Sequence, residues 1–251
     1  YDSKTLKIVA SAIAFIFLIP YTASVYNGLS RLFGMAFDIP YSVCVIVMAA
    51  LTGVYVILGG YMATAINDFI QGVIMLFGIV AVIVAVLNGQ GGFYEAVMNL
   101  AEIESDVPLT MGQKGVFASF FGPDLPNLIG VVILTSLGTW GLPQMVHKFY
   151  AIKDEKSIKS GTIISTFFAI VVSGGCYFLG GFGRLYDTPA IYSESGKIVY
   201  DAIIPAMLST LPDILVGVVV VLVLSASMST LSSLVLTSSS TLTLDLLKDN
   251  I

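Results

Sequence analysis

The chain alternates between long apolar stretches and short polar segments. An α-helix needs ~20 residues to cross the hydrocarbon core of a bilayer, and six of the stretches reach that length. They cover residues 6–33, 41–60, 63–87, 127–146, 158–182 and 214–236. The pattern therefore predicts an all-α integral membrane protein with about six transmembrane helices.

Composition supports a membrane protein. Hydrophobic residues make up 57% of the chain and charged residues 11%, with a mean hydropathy of +0.95. Soluble domains carry about 25% charged residues. The net charge of −5 argues against a nucleic-acid partner. Both cysteines, Cys44 and Cys176, lie inside apolar stretches, so we expect packing residues and no disulfide.

The charged residues of the connecting segments predict the orientation of the chain. Seven of the eleven Lys and Arg residues lie at the two ends of the chain or in the loop 147–159. The positive-inside rule places such segments in the cytoplasm. We therefore expect a multi-pass protein of the cell membrane with both ends cytoplasmic. His147 lies in the basic loop, and we interpret it as a solvated neighbour of these charges.

Hydroxyl side chains are concentrated at the end of the last apolar stretch. Residues 225–243 include twelve Ser and Thr among nineteen positions. The carbonyl of Ala226 and the hydroxyls of Ser229 and Thr230 fall within about one helical turn, and such neutral oxygens suit a small hard cation. The alternative is helix packing, in which each hydroxyl bonds to the carbonyl four residues earlier. The residues alone leave both interpretations open.

A glycine pair divides the second and third apolar stretches. Gly59 and Gly60 are expected to end one helix, and Asp68 and Gln71 lie one turn apart near the entrance of the next. The Asp68 carboxylate fits two roles. It balances the helix dipole, or it is a stopping point for a cation that leaves the protein.

The fourth apolar stretch contains the only tryptophan, Trp140, three residues before Pro143. Proline removes a backbone donor, so this helix is expected to be kinked or partly unwound. Irregular backbone at membrane depth is tolerated where it lines a cavity or is buried in protein. Trp140 is therefore either a wall of a substrate site or an interfacial anchor beside an ordinary proline kink.

Taken together, these motifs resemble those of the sodium:solute symporter family, in the same order and over the whole chain. They are the glycine pair followed by Asn67-Asp68-Phe69-Ile70-Gln71, the segment with Trp140, Gly141 and Pro143, and the hydroxyl run that closes with Asp245. The proline and pantothenate branches are the most similar, because the sugar branch has Asn where Pro143 stands. One departure is Asn67, where the family usually has Thr.

The resemblance implies a LeuT-type inverted repeat of five plus five helices. Residues 1–251 would then be one incomplete transmembrane domain with core helices three to eight, lacking the first, second, ninth and tenth. The implied partners are the lipid bilayer and the remaining helices of the same protein.

The same resemblance implies a sodium-coupled importer of a small organic solute, such as an amino acid or a carboxylate. Its sodium ligands would be the Ala226 carbonyl, Ser229 and Thr230, with Asp68 on the inward exit path of the ion. The substrate site would be lined or gated by Thr139, Trp140, Pro143 and Gln144.

Two other functions fit the same architecture. One is a transporter-like sensor domain of a membrane-bound regulatory kinase. The other is a sodium-independent permease, in which a fixed positive charge often replaces the ion; however, no Lys or Arg occurs between Lys197 and Lys248. We do not expect an enzyme, because the apolar stretches contain no paired-carboxylate, Cys/His or phosphate-loop arrangement.

Overall fold

The computed structural model describes residues 3–150, 152, 154–193 and 195–248. This part of the chain is largely helical, with one isolated β-bridge between Tyr192 and Ile198. It forms two compact units, which are described separately below. The first comprises Tyr1–Met75, Val146–Ala151 and Val220–Ile251, and the second comprises Leu76–Met145 and Ile152–Val219.

Nine α-helices are described. They are α1 (Lys4–Phe37), α2 (Tyr41–Gly89), α3 (Phe93–Glu102), α4 (Leu125–Gly138), α5 (Pro143–Tyr150), α6 (Glu155–Phe168), α7 (Gly174–Gly181), α8 (Tyr200–Leu208) and α9 (Asp213–Ser240). Two π-helical segments extend them, Ala169–Ser173 between α6 and α7 and Thr241–Leu247 after α9.

Five of the six predicted spans are confirmed as helical stretches long and apolar enough to cross a membrane. Within the described residues these are Lys4–Gly34, Tyr41–Gly60, Thr64–Gly89, Glu155–Leu185 and Asp213–Leu247. The chain is thus an all-helical, multi-pass membrane protein.

The fourth predicted span, residues 127–146, was expected to be kinked or partly unwound, and the structure divides it into two helices. Helix α4 ends at Gly138, a 3₁₀ turn follows at Thr139–Gly141, and α5 begins at Pro143. Leu142 between them is extended, with φ −71° and ψ 122°. The cause is Pro143, because the proline ring disfavours helical backbone at the residue before it. The kink expected from the sequence is therefore confirmed as a full break.

The predicted glycine break is also confirmed. Helix α2 includes two spans, and Gly60 interrupts its helical backbone with φ 58° and ψ −164°. This combination is essentially open to glycine alone, since a Cβ atom would clash with the backbone.

In the first unit, α1 packs against the π-helical segment that follows α9. Lys7 of α1 forms an ion pair with Asp245 of that segment, with Nζ and Oδ1 3.5 Å apart. Cys44 is a buried free thiol, as the packing interpretation predicted. In the second unit Cys176 is also a free thiol, at an exposed position of α7.

In the second unit, Gly175 of α7 allows a close approach of α2. A Cβ atom at Gly175 would lie 3.0 Å from Cγ1 of Ile79. Farther along the same span, Phe182 is buried together with Ala96 and Leu100 of α3. The side chain of His147 lies outside the described residues, so its predicted solvated role stays a prediction.

Candidate functional site

The hydroxyl-rich part of α9 bonds to its own backbone. Thr230 Oγ1 donates to the Ala226 carbonyl at 3.0 Å, and Ser232 Oγ donates to the Ser229 carbonyl at 3.0 Å. Such bonds satisfy hydroxyls in an apolar surrounding and keep the segment helical. The Thr230 bond, to the carbonyl four residues earlier, is the kind that the packing interpretation predicts.

The same geometry places neutral oxygens side by side. A hydroxyl and a carbonyl each have two lone pairs, so their mutual bond leaves lone pairs free. Because Ala226 O and Thr230 Oγ1 are only 3.0 Å apart, both could contact one ion at the ~2.3–2.6 Å typical of a cation of calcium's size. Ala226, Ser229 and Thr230 are all half-buried. The Ala226 carbonyl and the Thr230 hydroxyl are therefore placed to act as two ligands of one small hard cation.

Carboxylate, imidazole and thiol groups do not form a rival site in the part of the chain that the structure describes. No three Asp, Glu, His or Cys side chains there are grouped so that they could hold a metal ion. A cation bound by these residues would rely mainly on hydroxyl and carbonyl oxygens.

Asp68 lies in the first unit, as α9 from Val220 onward does. It is half-buried, two helical turns beyond the break at Gly60. The field of a helix dipole is strongest within the first turn, so this position disfavours the dipole interpretation of Asp68.

Other polar side chains surround Asp68. The Tyr55 side chain lies close to Asn67 and within range of an electrostatic interaction with Asp68. Gln71, one turn further, is only 6% exposed, and its Oε1 has no hydrogen-bond partner among the described residues. Tyr55 was not expected in the site; its signal in the sequence was a phenol within a largely apolar stretch.

The four predicted substrate residues meet at the break between α4 and α5. Thr139 and Trp140 lie in the 3₁₀ turn, and Thr139 Oγ1 donates to the Ser136 carbonyl at 3.1 Å. Pro143 and Gln144 begin α5. Trp140 is 78% exposed, which suits either a site wall or an interfacial anchor.

Gln144 differs from its neighbours because it is buried, at 6% exposure. Its Oε1 is buried and accepts no hydrogen bond within the described residues. Leaving a buried acceptor unsatisfied costs about 1–3 kcal/mol, so this oxygen favours a donor group beside it. These four residues belong to the second unit, whereas Asp68, Ala226, Ser229 and Thr230 belong to the first.

A known protein-family profile matches this chain. The profile described as "SSF: Sodium:solute symporter family" matches residues 1–251, so the chain belongs to the sodium:solute symporter family. No solved structure matches the chain significantly.

Three relatives illustrate the match. The sodium/pantothenate symporter of Haemophilus influenzae is 29% identical over 248 residues, covering 98% of this chain and 48% of the relative. The osmoregulated proline transporter OpuE of Bacillus subtilis is 28% identical over 255 residues, with the same coverage. The sodium/proline symporter of Salmonella typhimurium is 29% identical over 252 residues, covering 98% and 47%. The chain thus spans about half the length of these relatives, which are transporters and not enzymes.

Proposed function

We propose that this chain is part of a sodium-coupled symporter that imports a small organic solute, such as an amino acid or a carboxylate. The observation that carries the proposal is the pair of oxygens on α9, Ala226 O and Thr230 Oγ1, 3.0 Å apart. They lie next to Ser229 in a helix long and apolar enough to cross a membrane. Family membership and the names of the relatives support the same function.

In this proposal, sodium is bound by the α9 oxygens together with oxygens from the remaining helices of the same protein. An ion that bridges elements which move relative to each other favours the state in which both sets of ligands are in reach. That preference couples the sodium gradient to the movement of solute. Asp68, with Tyr55 and Asn67 beside it, provides a polar step for the ion on its inward path.

Thr139, Trp140, Pro143 and Gln144 line or gate the solute site in this proposal. A broken helix supports it, because its ends leave backbone groups free to bind polar solutes. The unsatisfied Oε1 of Gln144 supports it too, since an ammonium or amide group of a solute would donate to it. Pantothenate and proline, the solutes in the names of the relatives, are the first candidates.

We further propose that both ends of this segment are cytoplasmic, on the basis of the basic loop segments. The test is labelling of Ser157→Cys and Gln113→Cys from outside intact cells, since both positions are exposed. Gln113 should react and Ser157 should react only after permeabilisation. The reverse pattern would overturn the orientation.

The decisive experiment uses the full-length protein in liposomes with an inward sodium gradient. Radiolabelled proline, pantothenate and a panel of amino acids and carboxylates would be supplied in turn. We expect one of them to accumulate, and we expect replacement of external sodium by potassium to abolish accumulation. Equal uptake in both salts would point to a sodium-independent permease, and solute binding without accumulation would point to a sensor.

A matched pair of variants tests the solute site. Gln144→Ala should raise the solute concentration for half-maximal uptake, because the buried acceptor is lost. Asn99→Ala, at an exposed position of α3, should leave uptake unchanged. If Gln144→Ala keeps the parental solute affinity, Gln144 is not part of the solute site. That result would not bear on the proposed sodium coupling.

A further inference from the structure

Helix α3 has three distinct flanks. Its inner face consists of Ala96 and Leu100, at 0% and 5% exposure, which pack with Phe182. A second flank is polar and exposed, with Glu95, Asn99 and Glu102. The third flank carries Tyr94 and Met98, which are four residues apart and so neighbours on the helix surface. The apolar arc of α3 is therefore wider than the face that the second unit covers.

Aromatic contacts place α3 beside the end of a helical stretch long enough to cross a membrane. The ring of Phe93 stacks on Phe178 at a centroid distance of 6.0 Å, and Phe178 meets Phe182 edge-on at 5.2 Å. Phe178 and Phe182 lie near the end of the span Glu155–Leu185. The span Thr64–Gly89 also ends just before α3 begins. Two helices long and apolar enough to cross a membrane therefore end beside α3.

The exposed apolar flank has the composition of a membrane-interface surface. Tyr94 is 71% exposed, Phe93 57% and Met98 44%. Tyrosine is enriched where an aromatic ring meets both acyl chains and water. The helix has acidic residues and no Lys or Arg, so anionic lipid would not attract it. Zwitterionic headgroups suit it better.

We propose that α3 is an interfacial helix whose flank of Tyr94 and Met98, with Phe93 beside it, inserts between the headgroups and the upper acyl chains of the adjacent leaflet. Lipid is the occupant because the flank continues a bilayer-contacting surface. Phe178, on a membrane-crossing stretch, is itself 40% exposed, and its ring leads directly to Phe93. Helix α3 thereby anchors the segment after α2 to the membrane surface.

The test places a nitroxide label at Tyr94→Cys in the full-length protein, with its native cysteines replaced by serine, in phosphatidylcholine liposomes. Asn99→Cys, on the polar flank of the same helix, is the matched control. Collision with oxygen, which concentrates in lipid, is compared with collision with a water-soluble nickel chelate. We expect the ratio of oxygen to nickel collision to be severalfold higher at Tyr94 than at Asn99.

Two results would overturn the proposal. Equal nickel access at both positions would place the flank in water. Poor access of both reagents to Tyr94 would mean that protein, either the remaining helices or a second copy, covers it. Met98→Cys provides a second label on the same flank if Tyr94→Cys does not fold, and it should give the same ratio as Tyr94.

Discussion

The Thr230 hydroxyl donates a hydrogen bond to the Ala226 carbonyl one helical turn earlier, with the two oxygens 3.0 Å apart. The bond is compatible with both interpretations of α9. In a packing role it satisfies the hydroxyl within an apolar helix, and in a sodium site it holds two ligands at the separation that one ion needs. Substitution distinguishes them, because only the sodium site depends on the oxygen itself.

We therefore expect Ser229→Ala and Thr230→Ala to weaken sodium activation of uptake in the full-length protein. Loss of one neutral ligand should cost about 1–3 kcal/mol, which is roughly a tenfold to hundredfold rise in the sodium concentration for half-maximal uptake. Thr230→Ser, which keeps the oxygen, should stay close to the parent. The measurement is uptake against sodium concentration.

Ser238→Ala is the control for the Ser229→Ala and Thr230→Ala variants. Its hydroxyl donates to the Leu234 and Val235 carbonyls further along α9, so sodium activation should not change. Parental sodium dependence in both Ser229→Ala and Thr230→Ala would show that these hydroxyls serve packing.

The backbone break at Gly60 should not tolerate a side chain. Gly60→Ala forces a residue with a Cβ atom into a region that costs about 1–3 kcal/mol. We expect a lower thermal unfolding temperature for the detergent-purified protein. Gly53→Ala is the control, because Gly53 lies in the helical part of α2 and a Cβ atom there meets nothing within 4 Å. Equal unfolding temperatures for the two variants would contradict the strained conformation at Gly60.

The ion pair between Lys7 and Asp245 connects α1 to the π-helical end of the hydroxyl-rich helix. The two side chains are 33% and 40% exposed, so we expect a contribution to stability of only about 0–1 kcal/mol. We expect the ion pair to affect the uptake rate more strongly than stability, because the pair fixes the end of the helix that carries Thr230.

We expect Asp245→Asn to slow uptake severalfold without changing the unfolding temperature appreciably. The charge-swapped double variant Lys7→Asp with Asp245→Lys should recover part of the rate. If the double variant is no faster than the single ones, attraction between these charges is not what matters.

Arg184 holds two connecting segments of the second unit together. Its guanidinium lies 2.9 Å from the Asp106 carboxylate and 4.0 Å from the centre of the Phe117 ring. Arg184→Ala should be destabilising because it removes both the charge that pairs with Asp106 and the planar group that stacks on the Phe117 ring. We expect a loss of about 0.5–2 kcal/mol from the ion pair and the cation–π contact together.

Lys114→Ala is the matched control for Arg184. Lys114 reaches Glu104 only at 4.0 Å, and both side chains are more than 60% exposed. Its removal should leave the unfolding temperature unchanged. An equal drop for the two variants, measured by thermal unfolding in the same detergent, would refute a special role for Arg184.

The sequence predicted five spans correctly because continuous apolar length is sufficient to indicate a membrane-crossing helix. It also predicted irregular backbone at Pro143 and Gly60, since proline and glycine have direct steric consequences. The sequence left open whether the helix at Pro143 is kinked or partly unwound, because one apolar stretch covers both sides of the proline.

Features that depend on packing between helices were not predictable. Tyr55 and Asp68 are separated by the break at Gly60, so their proximity depends on the direction that the chain takes there. The buried state of Gln144 beside the exposed Trp140 likewise depends on the local path of the chain. The π-helical segments have no characteristic residue pattern in this sequence, and the apolar periodicity did not indicate them.

The π-helical segment Ala169–Ser173 sets the rotational register of the helix beyond it. A π turn holds about one residue more than an α turn, and one residue corresponds to a rotation of about 100° around the axis. The π turn takes up this extra residue without the rotation that an α-helical insertion would impose, so Gly175 stays on the side of the helix that meets Ile79. The length of this turn, rather than the glycine alone, therefore determines which side of the membrane-crossing helix is narrow enough to meet α2.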